Sequence, residues 1–260
     1  MRKSVFKTRE KGFIKKSFAN IFLNQFDFNT TNTKVGDGSM NISDNILKHH
    51  LQNVYVIAGH ACGGKTTASR YLAKKYDLIL FDWDEQFASY QALVDPHFQP
   101  AMSQRRAFSS WEEYFMRPPE EYSEWLKAAF REQTEMVIAH LLKLSGKAEG
   151  KKIIVDGFFD VQTLKKISDY NRVVFLLSSE EVVRHDYFNR ECKRDMYECI
   201  MGLRDPEAAL ENVFQTMFYK VEESEREIYE SGFKWFKRDT LGTDPMDTIK
   251  QIEAHFGFGK

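Results

Sequence analysis

Short apolar runs alternate with amphipathic stretches along most of this chain. Four runs of three to five apolar residues, rich in β-branched side chains, have the length and composition of buried strands. They cover residues 54–58, 78–81, 153–155 and 173–177, and a fifth strand is predicted at 233–236. Strands separated by helical segments favour a parallel sheet with right-handed crossovers. The pattern therefore predicts an α/β fold, a three-layer α/β/α sandwich around a five-stranded parallel sheet.

Proline and glycine residues mark where several of the helices begin or end. Pro118-Pro119 opens a long helix, for which Gly146 is a candidate C-cap. Asp205-Pro206 opens another, whose apolar face is predicted to extend through Val221. A last helix is predicted to begin near Pro245. Together with the strands, these signals predict helices in every connection of the sheet.

Residues 1–50 differ in character from the rest of the chain. Basic residues outnumber acidic ones at 1–16, apolar residues at helical spacing occupy 14–26, and residues 29–44 read as a loop. We expect an N-terminal extension at 1–50, followed by one domain at 51–260. Within that domain, the mostly helical stretch at 85–150 is predicted to be an insertion that binds the acceptor or forms a flap.

Composition narrows the function classes only modestly. The formal net charge is -1, so no global field favours a nucleic-acid partner. The spacing of the three cysteines suits neither a disulfide framework nor a zinc site, which favours a reducing compartment and a cytoplasmic location. No apolar run approaches the length of a membrane span. Assembly into a homo-oligomer is left open.

One segment carries a specific chemical signal. The sequence Gly59-His60-Ala61-Cys62-Gly63-Gly64-Lys65-Thr66, followed by Thr67, fits G-x-x-x-x-G-K-[ST] at every fixed position and lies between a predicted strand and a predicted helix. Glycines let successive backbone N–H groups point at phosphate oxygens, and the helix N-terminus adds its positive dipole end. Lys65 is expected to reach the β- and γ-phosphates, and the Thr66 hydroxyl to bind Mg²⁺. This motif predicts a nucleotide triphosphate site.

Three carboxylates are predicted at the same edge of the sheet. Asp82 and Asp84 follow the second strand, and Asp156 ends the third. Ligands of open α/β sheets bind outside the carboxyl ends of the strands. We expect Asp156 to organise Mg²⁺, and Asp82 or Asp84 to position the acceptor, with both facing the same way if the strand continues through Trp83. The alternative for Asp82 and Asp84 is that they cap the next helix or lie in surface turns.

The chain resembles the nucleotide and small-molecule kinases among the P-loop proteins, which include adenylate, cytidylate and shikimate kinases. The resemblance rests on the loop at 59–66, the Asp82-Trp83-Asp84 triplet, Asp156-Gly157-Phe158 and the segment after the fourth strand. It covers roughly residues 52–257. It implies a P-loop kinase-like domain, an adenine site near the turn at 239–245, and a lid, here at 184–204, whose arginines contact the transferring phosphate. Arg184 and Arg190 are the candidates in this chain.

The resemblance implies ATP and Mg²⁺ as cofactors and a small-molecule acceptor. Adenylate kinases follow Asp-Gly-Phe with Pro-Arg, whereas this chain has Phe159-Asp160, so a hydroxylated acceptor suits it better than a nucleoside monophosphate. The favoured function is transfer of the ATP γ-phosphate to an acceptor hydroxyl or phosphate. The alternative is an ATP-binding regulatory module that phosphorylates no acceptor. The sequence does not identify the acceptor.

Overall fold

The computed structural model describes residues 44–104 and 108–259. The strands are β1 (Val54–Gly59), β2 (Ile79–Asp82), β3 (Ile153–Asp156), β4 (Val173–Ser178) and β5 (Lys234–Arg238). They form one sheet in the order β2-β3-β1-β4-β5, and every neighbouring pair is parallel. The prediction of a five-stranded parallel sheet is confirmed.

Helices fill the connections between the strands. They are α1 (Asp44–His50), α2 (Lys65–Tyr76), α3 (Trp83–Gln91), α4 (Pro100–Gln104), α5 (Trp111–Phe115), α6 (Pro119–Lys147), α7 (Val161–Ile167), α8 (Glu180–Asp186), α9 (Arg194–Met201), α10 (Pro206–Phe218), α11 (Val221–Glu230) and α12 (Met246–Phe256). Short 3₁₀ turns lie at Tyr170–Arg172 and Glu191–Lys193. Within the described ranges, no helix combines the length and apolar composition needed to cross a membrane.

Each face of the sheet is covered by helices, because side chains alternate between the two faces along every buried strand. Helices α2 and α12 bury Leu72 and Ile252 on one face, against Ile57 and Leu176. Helices α6, α7 and α11 cover the opposite face, where Phe175 lies within the larger core. The three-layer α/β/α sandwich predicted from the sequence is confirmed.

The helical insertion contacts the region after β4 through a small core of its own. Phe115 of α5 packs with Ile200 of α9 and with Val213 of α10. The amide of Asn212 donates hydrogen bonds to the carbonyl oxygens of Phe115 and Arg117, at 2.8 and 2.6 Å. The segment between β2 and β3 and the segment between β4 and β5 therefore meet on one side of the domain.

Two helix boundaries differ from the sequence prediction. Gly146 is not a C-cap, because α6 continues through Lys147 and the chain turns at Glu149 and Gly150, whose φ angles are 49° and 84°. The helix that begins at Pro206 does not reach Val221. Lys220 has a φ of 55°, and this left-handed residue separates α10 from α11. In both cases the helix ends close to a residue with a left-handed backbone, and the hydrophobic pattern of the sequence does not reveal that residue.

Helix α1 belongs to the predicted N-terminal extension and packs against the domain. Helix α1 lies on α6 and α7, and Leu47 and Leu51 are buried in the larger core. The apolar stripe predicted at 14–26 and the basic segment before it lie outside the described residues, as do Arg105 and Arg106 of the insertion. Among the described residues, α1 therefore packs as part of the domain.

Candidate active site

The phosphate loop at residues 59–66 connects β1 to α2. Gly59 has a φ of 120°, and a Cβ there would lie 2.2 Å from the carbonyl oxygen of Leu176. A Cβ on Gly63 would lie 2.4 Å from the same oxygen. Gly64 caps α2 in a left-handed conformation, with a φ of 95°. Glycine is therefore required at 59 and 63 because β4 approaches the loop closely, and at 64 because of the backbone turn.

Lys65 points into the loop that it terminates. Its ammonium donates a 2.7 Å hydrogen bond to the carbonyl oxygen of His60 and lies 4.6 Å from the ring centroid of Phe158. The residue is 8% exposed. Burial lowers the pKa of Lys65, and the carboxylates of Asp156 and Asp84 oppose that effect. The ammonium is thus held inside the loop, within reach of the negative charge of a bound phosphate.

Thr66 and Asp156 come together at the start of α2 and the end of β3. Thr66 Oγ1 donates a 2.5 Å hydrogen bond to Asp156 Oδ2. Burial raises the pKa of Asp156, against the lowering effects of Lys65 and of this hydrogen bond. A hydroxyl beside a carboxylate is the oxygen donor set that Mg²⁺ takes from proteins, which supply one or two ligands while phosphates and water supply the rest. These two residues therefore fit a Mg²⁺ ion.

The described residues contain no cluster of three or more His, Cys, Asp or Glu side chains able to hold a metal ion without help from a ligand. A Mg²⁺ site at Thr66 and Asp156 would accordingly need oxygens from a bound phosphate. That requirement is typical of nucleotide-dependent Mg²⁺ sites.

Asp82 and Asp84 have different roles in the structure. The second strand does not continue through Trp83, as the sequence analysis assumed, because α3 begins there. Asp82 caps α3: its Oδ1 accepts from the backbone N–H groups of Asp84 and Glu85, at 3.0 and 3.4 Å. Asp82 also lies in register with Asp156 on the neighbouring strand. Asp82 therefore has the helix-capping role that the sequence analysis gave as the alternative.

Asp84 lies in the first turn of α3 and is exposed. Its carboxylate raises the pKa of Lys65 and that of Lys193, so it lies within electrostatic reach of both ammonium groups. No hydrogen bond to the side chain of Asp84 occupies it among the described residues. Of the two aspartates after β2, Asp84 is therefore the one free to contact a ligand above the phosphate loop.

The two candidate arginines after β4 lie in different surroundings. Arg190 donates from Nε to the Tyr187 carbonyl oxygen at 3.2 Å and stacks over the Tyr187 ring at 4.7 Å. Its charge lowers the pKa values of Cys62 and Lys65, so it lies within electrostatic reach of the phosphate loop. Lys193 was not singled out from the sequence, although it lies in the predicted lid segment, and it faces Asp84.

Arg184 is engaged elsewhere. Its guanidinium forms ion pairs of 2.7 Å with Glu180 and 2.8 Å with Glu211. It also lies 5.0 Å from the ring centroid of Phe214. These partners belong to α8 and α10 rather than to the phosphate loop. Of the two candidate arginines, Arg190 lies within electrostatic reach of the loop, whereas Arg184 is held by α8 and α10.

The variable positions of the loop are partly buried. Burial lowers the pKa of His60 to about 4, so its ring is neutral near pH 7. The nearest charged groups to it are Glu225, which lies 3.8 Å away, and the ammonium groups of Lys65 and Lys237. Burial raises the pKa of Cys62, whose φ is 60°. Burial therefore favours the protonated thiol at this position.

Two residues that the sequence analysis missed hold the outer side of the loop. Ser178 Oγ donates a 2.6 Å hydrogen bond to the carbonyl oxygen of Ala61. Arg238 Nη1 donates to that of Cys62 at 3.4 Å. Both are polar residues at the carboxyl ends of strands, where only acidic residues had been considered. Thr67, the last residue predicted in the loop, follows Thr66 on the exposed side of α2.

Comparison with protein-family models and with curated proteins gave no match. Among solved structures, the chain is similar to a protein described as a "putative kinase" from Chloroflexus aurantiacus, with 16% identity and a TM-score of 0.38 over 78% of this chain and 97% of that one. It is also similar to shikimate kinase from Acinetobacter baumannii in complex with shikimate, with 15% identity and a TM-score of 0.34 over 76% of this chain and 89% of that one. The parallel sheet, the helices on both faces and the phosphate loop after β1 give the chain a P-loop kinase-like α/β fold.

Proposed function

We propose that the protein is an ATP-dependent phosphotransferase that moves the γ-phosphate of ATP to a hydroxyl group of a small-molecule acceptor. The observation that carries the proposal is the arrangement of the loop at 59–66. Its glycines, the buried ammonium of Lys65 and the hydrogen bond from Thr66 to Asp156 meet at the N-terminus of α2. Together they provide a phosphate nest with a site for Mg²⁺ beside it.

Each charged group has a distinct task in this proposal. Lys65 leaves the His60 carbonyl and binds the β- and γ-phosphates, and Thr66 and Asp156 hold Mg²⁺. When bound, Mg²⁺ neutralises charge on the phosphates. Arg190 and Lys193 approach from the segment after α8 and stabilise negative charge on the γ-phosphate oxygens.

The acceptor binds on the Asp84 side of the loop. Asp84 accepts the proton of the acceptor hydroxyl as the hydroxyl oxygen bonds to the γ-phosphorus. The bond from that phosphorus to the bridging oxygen of ADP breaks, and ADP leaves with the electron pair. Asp84 then releases the proton to solvent. Asp84 is suited to this task because it is exposed and lies within electrostatic reach of the ammonium groups of Lys65 and Lys193.

The experiment has two stages. Mg·ATP binding is first measured by calorimetry on the full-length protein. ADP release is then followed in the presence of sugars, nucleosides, cofactor precursors and antibiotics, with mass spectrometry of the acceptor. We expect Mg²⁺-dependent ATP binding and one acceptor class that releases ADP and gains one phosphoryl group. No binding of any nucleoside triphosphate would refute the proposal, and tight binding without acceptor-dependent turnover would favour a regulatory module.

A further inference from the structure

The backbone of the phosphate loop is held from outside by two side chains that the phosphotransfer chemistry does not use. Ser178 and Arg238 lie opposite each other in the register of β4 and β5, at the carboxyl ends of both strands. They donate to consecutive carbonyl oxygens of the loop, those of Ala61 and Cys62. The C=O and N–H of one peptide unit point in opposite directions. Because Ser178 and Arg238 hold the carbonyls of Ala61 and Cys62 on the outer side of the loop, the N–H groups of Cys62 and Gly63 point into the phosphate nest.

A third carbonyl, that of His60, is held differently. Its donor is Lys65, which in the proposed function moves to the phosphates when nucleotide binds. The donors from Ser178 and Arg238 belong to the sheet and stay in place when Lys65 moves. They are thus the contacts able to keep the nest open through the reaction.

Arg238 also contacts the helix that leads into the lid segment. Its Nη1 lies 2.7 Å from Oδ2 of Asp186, the last residue of α8. The other carboxylate oxygen of Asp186 lies 2.7 Å from Nδ1 of His185. The hydrogen bond with His185 and the pairing with Arg238 lower the pKa of Asp186, so the carboxylate is ionised near neutral pH.

The chain beyond Asp186 carries Arg190 and Lys193, the two cations that face the phosphate loop and Asp84. One guanidinium therefore touches both the loop and the base of the segment that supplies these cations. A guanidinium is suited to this double contact because it presents several N–H donors in one rigid plane, whereas an ammonium is a single point charge.

We propose that Arg238 is a positioning residue that couples the phosphate loop to residues 187–193 of the predicted lid, through a bridge from Cys62 to Asp186. The proposal rests on the proposed function, because the coupling matters only if the loop binds phosphate. The bridge fixes the Cys62 carbonyl outward while it fixes the end of α8. A change at either contact is therefore transmitted to the other.

Amide hydrogen exchange on the full-length protein tests this coupling without any ligand. Asp186→Asn weakens the bridge at its lid end only. We expect about 10-fold faster exchange at 187–193 and also at the loop amides 62–64, because the guanidinium is no longer held. Ser178→Ala is the matched variant at the other donor, and it should speed exchange in the loop but leave 187–193 unchanged. Lys151→Gln, which removes an exposed ion pair with Asp77 at the far end of the domain, should change neither segment.

Arg238→Gln should speed exchange in both segments and weaken Mg·ATP binding about 10-fold, with partial rescue in Arg238→Lys. Unchanged exchange rates at the loop amides of Asp186→Asn would overturn the coupling. Equally faster exchange throughout the sheet would overturn it as well, because it would indicate a purely structural role for the bridge. Should Arg238→Gln fail to fold, the exchange rates of Asp186→Asn and Ser178→Ala still test the coupling.

A separate outcome bears on the proposed function. If Mg·ATP does not slow exchange at the loop amides of the unaltered protein, the proposed function is contradicted, and the comparison of variants still tests the bridge.

Discussion

Thr66 Oγ1 and Asp156 Oδ2 are joined by a 2.5 Å hydrogen bond between residues 90 positions apart in the chain. Because this contact places two oxygen donors beside the phosphate loop, we expect Asp156→Asn to weaken Mg²⁺-dependent nucleotide binding by about 10-fold or more. Calorimetric titrations with and without Mg²⁺ measure the effect. Asp160→Asn is the matched control, since Asp160 caps α7 and Asn is an equally good cap. Equal Mg²⁺ dependence in both variants would contradict the assignment.

The same carboxyl group predicts a pH dependence of stability. Burial raises the pKa of folded Asp156 above 3.8, so the folded protein binds more protons than the unfolded chain just above that value. The free energy of unfolding relative to Asp156→Asn should therefore fall as pH rises through this interval, and become constant above the folded pKa. Denaturant unfolding of both proteins from about pH 4 to pH 7 checks the sign. A difference that grows with pH would show that Asp156 is stabilised by its charge.

Lys65→Ala should reduce phosphoryl transfer by about 100-fold or more, because the variant lacks the ammonium that contacts the transferring charge. The fold should persist, since the ammonium donates its hydrogen bond to a carbonyl of the loop and not to a core residue. Lys74→Ala, at an exposed position on the same helix, provides the control. Acceptor-dependent ADP release and far-ultraviolet circular dichroism are the measurements. Full turnover by a folded Lys65→Ala protein would remove the loop from the mechanism.

Separate substitutions distinguish capping from catalysis at the two aspartates after β2. Asp82→Ala should cost about 1 kcal/mol of stability because α3 loses its N-cap, whereas Asp82→Asn should retain it. Asp84→Asn should leave stability nearly unchanged, since the side chain is exposed, and lower kcat by about 100-fold. Thermal unfolding and steady-state kinetics on the three variants separate the two roles. The reverse pattern, with kcat lost in Asp82→Asn alone, would move the base to Asp82.

His60 should not titrate near its usual pKa. Its folded pKa is about 4 because of burial, against 6.5 for an ordinary histidine, so the unfolded chain binds more protons between these values. Stability should therefore decline as pH falls from 6.5 to about 4, by at most about 3 kcal/mol. His60→Asn should flatten that decline, and the His60 ring resonances followed by NMR should shift only at the low end. A midpoint near 6.5 would show that the ring is solvated.

Much of the fold could be predicted because the buried strands are apolar on both faces and stand out as runs. The helix ends were harder. Gly146 suggested a C-cap by residue type alone, but the chain turned at Glu149 and Gly150, where φ is positive. The division between α10 and α11 at Lys220 also escaped notice, because lysine rarely adopts a left-handed conformation.

For the site, local spacing located the phosphate loop, and the rule for strand ends located Asp156. The sequence did not show which residues would contact the candidate site residues in the folded protein. Arg184 and Arg190 follow the same strand, yet Arg184 pairs with Glu211, whereas Arg190 contacts Tyr187 within electrostatic reach of the loop. Ser178 and Arg238 become partners of the loop only through the strand order, in which β4 lies between β1 and β5. A single sequence does not state that order.

The contact of Gly59 and Gly63 with the Leu176 carbonyl has a consequence for how this loop can bind and vary. A loop backbone packed closely against the neighbouring strand has few alternative conformations. It therefore loses little conformational entropy when it binds an anion. The same close packing excludes any larger side chain at these two positions. Between these two glycines, the side chains of the loop are carried by residues 60–62, all of which are partly buried.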